Sequence, residues 1–330
     1  MNSFGQLFRI SIFGESHGVN VGIVIDGVPA GLSIKLEDFE NDFNRRRAGA
    51  KGTTPRKEKD IPHIVSGIFN DKTTGAPITI IFYNENTRSK DYTKLRETFR
   101  PGHADFVANK KYGGYEDYRG GGHFSGRITL GLVAAGVIAK KLINPVKVST
   151  QLLEVGGNTN IEEAVEKAIM NEDSIGGIIE CKATNMPIGI GNPFFGSLDA
   201  TLAHIIFSIP AIKGIEFGVG FEAAKMKGSE HNDWYIDKDG KTATNHAGGV
   251  NGGISNGNDL IFRVVVKPTS STNKVQQTYN FKTGKMVDLQ IEGRHDTCIA
   301  LRIPVVIEAA TAIVLADMMM LEQKIGKIIN

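Results

Sequence analysis

The sequence has very little cysteine. Cys181 and Cys298 are its two cysteines among 330 residues, and they form no CxxC motif. A disulfide framework or a cysteine zinc site requires more thiols at short spacings, so both classes are excluded. Two isolated thiols are compatible with a reducing compartment, and we expect a cytoplasmic protein.

Long apolar runs and a large net charge are also absent. No uninterrupted stretch of about 18 or more apolar residues occurs, and the N-terminus lacks the basic and apolar regions of a signal peptide. The net charge of +2 is too small for a chain-wide polyanion surface. We therefore expect no membrane insertion and no nucleic-acid partner. An anion site has to come from local clusters of basic residues.

No linker rich in Pro, Ser or charge divides the chain, so we expect one domain over residues 1–330. Apolar patterns predict strands at 8–13, 21–25, 64–69, 76–83, 146–155, 175–181, 215–219 and 260–267. Helical spacing predicts helices at 36–47, 129–142, 161–170, 198–209 and 307–323. Because several strands follow one another with no helix between them, the pattern predicts an α+β fold.

Glycine, by contrast, is abundant. The 39 glycines are about 12% of the chain, against a usual share of about 7%. Many stand in clusters, at 120–122, 248–249 and 252–253, and the clusters have no repeat period. Glycine at such density lets the backbone approach a ligand closely. The first cluster leads into the helix predicted at 129–142, whose N-terminus favours an anion.

Four of the eight histidines lie in short polar loops. They are His17 in GESHG, His103 in RPGHAD, His123 in GGGHFSGR and His295 in GRHD. An imidazole gives or takes a proton near neutral pH, and a neighbouring Asp or Arg sets its tautomer or its charge. A single loop histidine is usually solvated or structural. Four of them in such surroundings indicate a site for proton transfer.

Motifs for several other chemistries are missing. The sequence has no HExxH motif and no histidine pair at helical i, i+4 spacing, so we predict no metal site. Residues 14–18 match GxSxG, but a nucleophile elbow needs a helix after the turn, and a second strand is predicted here. No P-loop or complete Rossmann fingerprint occurs. Residues 267–271 (KPTSS) suit a phosphate or a flavin's polar edge, and equally an ordinary strand-ending turn.

Six motifs, in order and in spacing, resemble the chorismate synthase family. The resemblance extends over essentially the whole chain, and six motifs in register are far more specific than any one of them. The motifs are GESHG (14–18), RPGHAD (100–105), YRGGG with SGR (118–122 and 125–127), GGVNGGISNG (248–257), KPTSS (267–271) and GRHD (293–296). The resemblance implies a β-α-β sandwich core with antiparallel sheets and a homotetramer.

The resemblance also implies a reaction. The family converts 5-enolpyruvylshikimate 3-phosphate to chorismate and phosphate by 1,4-anti elimination, the last common step of the shikimate pathway to aromatic amino acids. It uses reduced FMN with no net redox change. By this resemblance His17 protonates the leaving phosphate, His103 stabilises the reduced, anionic flavin, and Asp296 helps to deprotonate flavin N5.

Binding residues follow from the same resemblance. One phosphate and two carboxylates on the substrate need several fixed cations, for which the resemblance implies Arg46, Lys51 and Arg127. For FMN it implies His123, Phe124, Ser125, Gly253, Lys267, Pro268, Thr269, Ser270, Ser271 and Arg294. Many members have arginine at 51, and Lys51 lacks the bidentate geometry of a guanidinium. Many also have arginine at 123 and serine at 124, so the flavin edge of this chain is less cationic and bulkier. The sequence leaves open whether NADPH reduces the flavin on the enzyme or an external flavin reductase delivers it reduced.

Two other functions stay open at this point. A flavin oxidoreductase would use the same polar loops for hydride transfer, and it would consume its cofactor stoichiometrically. An RNA- or polyanion-binding protein is suggested by the basic stretch at 45–59. The small net charge and the lack of interleaved aromatic residues in that stretch argue against it.

Overall fold

The computed structural model describes residues 2–54, 58–85, 96–291, 295–326 and 328. The helices in these ranges are α1 (Glu40–Arg46), α2 (Asp105–Tyr112), α3 (Thr129–Leu142), α4 (Ile161–Met170), α5 (Leu198–Ser208), α6 (Gly228–His231) and α7 (Pro304–Leu321). The strands are β1 (Ser3–Phe4), β2 (Arg9–Gly14), β3 (Asn20–Asp26), β4 (His63–Ser66), β5 (Ile68–Phe69), β6 (Lys72–Thr73), β7 (Ile78–Tyr83), β8 (Lys147–Val155), β9 (Gly177–Thr184), β10 (Ile212–Phe217), β11 (Val250–Asn251), β12 (Ile254–Ser255), β13 (Leu260–Val266), β14 (Gln276–Asn280) and β15 (Lys285–Leu289).

The N-terminal part of the chain forms a five-stranded antiparallel sheet with the strand order β1-β2-β3-β7-β4. A short loop joins β2 to β3, as the sequence predicts for the GESHG segment. Isoleucines on β3 and β7 are fully buried, namely Ile23, Ile25, Ile78 and Ile80. One face of this sheet is therefore covered by the protein.

A second antiparallel sheet has the strand order β10-β13-β9-β8. Along β13 the side chains of Leu260, Phe262, Val264 and Val266 are buried, and the residues between them are more exposed. This alternation is what a strand with one covered face requires, because successive side chains point to opposite faces.

Helices α3 and α7 pack against each other between the two sheets. α3 also contacts β2, β3 and β7, and α7 also contacts β8 and β9, so the layers are sheet, helices and sheet. At the helix contact a Cβ on Gly136 would lie 2.3 Å from the Cβ of Ala309, so only glycine permits this approach. The α+β class and the β-α-β sandwich of antiparallel sheets are confirmed.

α7 is long and apolar enough by composition to cross a membrane. Fifteen of its 18 residues are buried inside the protein, which is typical of a core helix. Its two acidic residues have partners within the chain. Glu308 accepts hydrogen bonds from Arg45, and Asp317 accepts them from the backbone N–H groups of Leu7 and Phe8 at 2.7 and 2.9 Å.

Most of the predicted elements are confirmed, with small shifts at their ends. The helices predicted at 129–142 and 161–170 coincide with α3 and α4, and α7 begins earlier than predicted, at Pro304. Several elements were not predicted, namely β1, β6, α2, α6, β11, β12 and the β14-β15 hairpin. α2 is rich in polar residues and has no apolar stripe, and the β14-β15 hairpin is polar and largely exposed, so neither has the periodicity on which such a prediction depends.

Candidate active site

A cavity of about 1120 Å³ collects polar loops from most of the chain. The residues that line the cavity lie within the segments 2–16, 46–54, 58–61, 100–104, 120–132, 204–213, 267–271 and 295–306. The predicted site residues that line it are Arg46, His103, His123, Phe124, Ser125, Arg127, Lys267, Pro268, Thr269, Ser270, Ser271 and Asp296. Because these segments are distant in sequence, the cavity forms only in the folded chain.

The glycine loop before α3 contacts two of the predicted catalytic histidines. Gly120 and Gly121 have φ angles of +61° and +81°, which glycine adopts without strain. A Cβ on Gly120 would lie 2.6 Å from His17 Cδ2, and one on Gly121 would lie 3.3 Å from His103 Cε1. His103 lines the cavity, and His17 is buried next to the cavity-lining Ser16 and Gly120. Consecutive residues of one loop thus bring the two imidazoles to the same place.

Asp296, the third predicted catalytic residue, lines the same cavity. Its carboxylate accepts hydrogen bonds from Arg302 Nη1 at 3.1 Å and from the N–H of Thr54 at 2.9 Å. Arg302 also donates from Nε to the carbonyl of Arg46 at 2.9 Å. These bonds fix the carboxylate at the junction of two loops and the C-terminal end of α1.

Arg46 and Arg127 are buried arginines that both line the cavity. Arg127 donates to Asn84 Oδ1 at 3.0 Å and to Asp60, whose other oxygen lies 3.6 Å from Arg46 Nη1. Arg46 also donates to the carbonyl of Gly126 at 2.9 Å. Guanidiniums fixed in direction in this way suit bidentate recognition of phosphate and carboxylate.

The charge of Arg46 is not fully compensated by its neighbours. Burial is the main cause that lowers the pKa of Arg46, to about 9. Asp60 opposes this shift, whereas the nearby guanidiniums of Arg302 and Arg127 add to it. A bound anion would relieve the repulsion among the three cations, so the cluster favours a negatively charged ligand.

The loop after β13 forms a polar edge of the cavity. Lys267 Nζ donates to the carbonyl of Gly102 at 3.1 Å and to Ser270 Oγ at 2.7 Å. Burial lowers the pKa of Lys267, and the neighbouring charge of Lys213 lowers it further. Thr269 Oγ1 is buried and has no hydrogen-bond partner in the described part of the chain. An anionic ligand with acceptor oxygens would satisfy both groups.

The residues after the glycine cluster hold the loop in place. His123 Nδ1 lies 2.8 Å from the carbonyl of Gly14, and its Nε2 lies 3.1 Å from Asn2 Oδ1. Ser125 Oγ accepts the N–H of Arg127 at 3.3 Å, which caps the short 3₁₀ segment Gly126–Ile128. His123 thus ties the loop to β2, and Ser125 orients the segment that carries Arg127.

Besides His17, which is buried beside the cavity, three predicted site residues are not among those that line it. Lys51 is exposed and pairs with Glu166 of α4. Gly253 lies in the turn between β11 and β12, where its carbonyl accepts the N–H of Leu198 at 2.8 Å at the start of α5. Arg294 lies outside the described residues. The binding roles assigned to these three positions stay predictions.

Sequence reasoning missed several residues that line the cavity. Asp60 and Arg302 add a carboxylate and a guanidinium to the charged groups around Arg46 and Arg127. The segment 204–213 forms a wall of the cavity. Asp60 and Arg302 stand in no motif with a recognisable mechanism, and the apolar pattern of α5 predicts only a helix. Their contribution depends on three-dimensional neighbours, so a single sequence carries no signal for it.

Comparisons with known proteins indicate a single family. A family model described as chorismate synthase matches residues 8–320. A chorismate synthase from Chitinophaga pinensis is 64% identical over 329 residues, covering 99% of both chains. One from Methanocaldococcus jannaschii is 45% identical over 364 residues, covering 97% of this chain and 96% of the relative. A crystal structure of chorismate synthase covers 98% of this chain and 94% of its own, with a TM-score of 0.75 and 26% identity.

Proposed function

The chain belongs to the chorismate synthase family, and from that premise we propose which of its residues carry out the reaction. The protein is a carbon-oxygen lyase that converts 5-enolpyruvylshikimate 3-phosphate to chorismate and phosphate, in the shikimate pathway to aromatic amino acids. The observation that carries the residue assignment is the single cavity that His103, Asp296, Arg46 and Arg127 line together.

Reduced FMN is the cofactor of this family, and the loop after β13 fits such a group. The orphaned hydroxyl of Thr269 and the clustered ammonium groups of Lys267 and Lys213 are donors that an acceptor-rich ligand would satisfy. We assign FMN binding to Lys267, Pro268, Thr269, Ser270 and Ser271, with His123, Phe124 and Ser125 on a neighbouring wall. Gly253 and Arg294 are further proposed contacts. When bound, reduced flavin supplies an electron transiently and recovers it, so that the elimination involves no net redox change.

Arg46 and Arg127 are the proposed binding groups for the anionic substrate. Both guanidiniums are buried and fixed by hydrogen bonds, and three arginines crowd around Asp60 and Asp296. A phosphate or carboxylate in this cluster receives charge-assisted hydrogen bonds in a place that excludes most water. Lys51 remains a third proposed contact, which requires it to leave Glu166.

Three side chains have proposed roles in proton handling. His17, buried against Gly120, protonates the leaving phosphate as a general acid. His103 stabilises developing negative charge at the flavin. Asp296, held by Arg302 and the N–H of Thr54, faces the cavity as a proton acceptor.

An anaerobic assay tests these assignments. Wild-type protein with the enolpyruvyl substrate and chemically reduced FMN is expected to release phosphate and form a conjugated diene, with no stoichiometric consumption of the flavin. Turnover without reduced flavin would contradict the cofactor assignment. Stoichiometric flavin oxidation would favour the oxidoreductase alternative.

The source of reducing power and the assembly need separate tests. Replacing the chemical reductant by NADPH distinguishes an enzyme that reduces its own flavin from one that needs an external flavin reductase. We propose a cytoplasmic homotetramer, and exposed aromatic residues such as Phe194, Phe195 and Phe221 support subunit contacts. Sedimentation equilibrium is expected to give four times the chain mass of 35.7 kDa. A monomer at micromolar concentration would contradict this assembly.

A further inference from the structure

His103 has a different environment at each ring nitrogen. Its Nδ1 lies 2.6 Å from Asp105 Oδ1, at the first residue of α2. The opposite edge, with Cε1 and Nε2, faces Gly121, where a Cβ would lie 3.3 and 3.5 Å from these two atoms. The ring is therefore anchored through Nδ1 and presents Nε2 to the glycine loop that lines the cavity.

Asp105 is held rigidly on its other side by Arg100. The guanidinium donates from Nε to Oδ2 at 2.7 Å and from Nη2 to Oδ1 at 2.8 Å. Arg100 also donates from Nη1 to Ser271 Oγ at 3.1 Å, which connects the pair to the loop after β13. A two-point fork of this kind fixes the orientation of a carboxylate as well as its position.

The charge of Asp105 determines where the proton of His103 lies. Burial opposes ionisation of Asp105, but hydrogen bonds from Arg100 and His103 hold its pKa well below the ordinary value of 3.8. An ionised carboxylate only accepts hydrogen bonds, so at neutral pH the short contact requires a proton on Nδ1. Arg100 Nη2 also lies 3.1 Å from the same Nδ1, and as a donor it would favour a lone pair there. The shorter contacts decide against this, because Nη2 donates to Asp105 Oδ1 at 2.8 Å and Nδ1 lies 2.6 Å from the same oxygen.

We propose that Asp105 is a positioning residue that fixes His103 in the Nδ1–H tautomer, so that the ring gains and loses its exchangeable proton at Nε2. The protein then presents one defined atom of His103 to the glycine loop beside the cavity. The role of that atom in turnover rests on the function proposed above, whereas the tautomer itself does not.

Other carboxylates near His103 have different partners. Glu116 and Asp117 border a small hollow next to His103 and Asp105. Glu116 accepts a hydrogen bond from Asn109 at 3.1 Å, and Asp117 accepts a fork from Arg119 with both bonds at 2.8 Å. Asp117 is thus bound by an arginine in the same way as Asp105, and the imidazole that helps to lower its pKa is that of His17, which makes Asp117 a matched control for the His103 tautomer.

Replacing Asp105 by alanine is expected to reverse the tautomer. Without the carboxylate, Arg100 Nη2 is left beside Nδ1 and can donate to its lone pair, which moves the proton of the neutral ring to Nε2. The measurement is a two-bond proton–nitrogen NMR correlation of the flavin-free protein with ¹⁵N-labelled histidine. The signals of His103 are assigned by their loss in His103→Gln.

The expected spectra show Nδ1–H in wild-type protein, Nε2–H in Asp105→Ala, and Nδ1–H again in Asp117→Ala. An Nε2–H tautomer in wild-type protein would overturn the proposal, whether or not Asp105→Ala folds. So would an unchanged tautomer in a folded Asp105→Ala protein. Because this readout needs neither flavin nor turnover, its failure is distinguishable from a failure of the proposed function.

Kinetics provide a second and independent test. If Asp105 acts through His103, Asp105→Ala lowers kcat by about 10²-fold with little change in the KM for substrate. The double variant with His103→Ala is then no slower than His103→Ala alone, because the two residues act as a unit. Additive losses in the double variant would show that Asp105 acts by another route.

Discussion

Two neighbouring arginines at the end of α1 lie in opposite kinds of charge cluster. Arg45 belongs to a helix-layer cluster with Asp42, Lys140 and Glu308, in which two cations meet two carboxylates. Arg46 belongs to a cavity cluster, defined as Arg46, Arg127, Arg302, Asp60 and Asp296. In the cavity cluster three guanidiniums meet two carboxylates.

The difference between the clusters is visible in their protonation equilibria. The hydrogen bond with Glu308 raises the pKa of Arg45, whereas burial lowers that of Arg46 to about 9. In the helix-layer cluster the positive and negative charges are equal in number without a ligand. In the cavity cluster a bound anion would offset the excess positive charge and stabilise the cluster. Burial is the largest cause of the lowered pKa of Arg46 and the excess of cations adds to it, so burial and charge balance together separate the two clusters.

The largest expected effect is a loss of catalytic rate when the proposed general acid at the cavity is removed. His17→Ala should lower kcat by about 10²–10⁴-fold, the usual contribution of a positioned proton donor. Phosphate release under anaerobic conditions with reduced FMN is the measurement, and circular dichroism checks the fold. A folded His17→Ala protein with nearly full activity would remove His17 from the mechanism.

The next effect is expected in the helix layer, on stability. Glu308→Ala removes the buried carboxylate that Arg45 and Lys140 share. Both cations are partly exposed and still contact Asp42, so the expected loss is about 1.5–3 kcal/mol, the usual value of a hydrogen bond to a charged group. Denaturant unfolding measures the loss, and activity per folded molecule should stay near the wild-type value. A large drop in that activity would mean that the two clusters are coupled.

Acid should reduce the stability that the helix-layer cluster contributes, over a pH range set by the pKa of Glu308. Burial opposes the charge of Glu308, but Arg45, Lys140 and Thr150 hold its pKa below the ordinary value of 4.5. The stabilisation is therefore fully present above pH 4.5 and is lost as pH falls through the lower folded-state value. The difference in unfolding free energy between wild type and Glu308→Gln should shrink only below this pH. A difference that already shrinks between pH 7 and 5 would refute the assignment.

The smallest effect is expected at an exposed ion pair outside both clusters. Glu166 of α4 pairs with Lys51, and both side chains are about half exposed or more. Exposed pairs contribute about 0–1 kcal/mol, so Glu166→Ala should change the unfolding free energy by no more than that. If substrate affinity rises in Glu166→Ala, the release of Lys51 supports its proposed contact with the substrate.

The sequence predicted much of the fold because, in the core, the spacing of apolar residues matches the side chains that are buried. Helix α3 and strands β2, β3 and β13 have apolar patterns that match the faces they bury. The sequence also indicated that His17 and His103 belong together, because both stand in short polar loops with glycine. It did not indicate Asp60, Arg302 or the difference between Arg45 and Arg46. These depend on which side chains meet across the fold, and local periodicity carries no information about that.

The most direct test of the charge-balance account compares substrate binding in Arg45→Ala and Arg46→Ala. Titration calorimetry with 5-enolpyruvylshikimate 3-phosphate gives the dissociation constant, and denaturant unfolding of the same samples shows that each protein is folded. Loss of a charge-assisted hydrogen bond costs about 1.5–3 kcal/mol, so Arg46→Ala should bind about 10–100-fold more weakly. Arg45→Ala should bind as wild type does and lose stability instead. Equal weakening of substrate binding in the two variants would contradict the account.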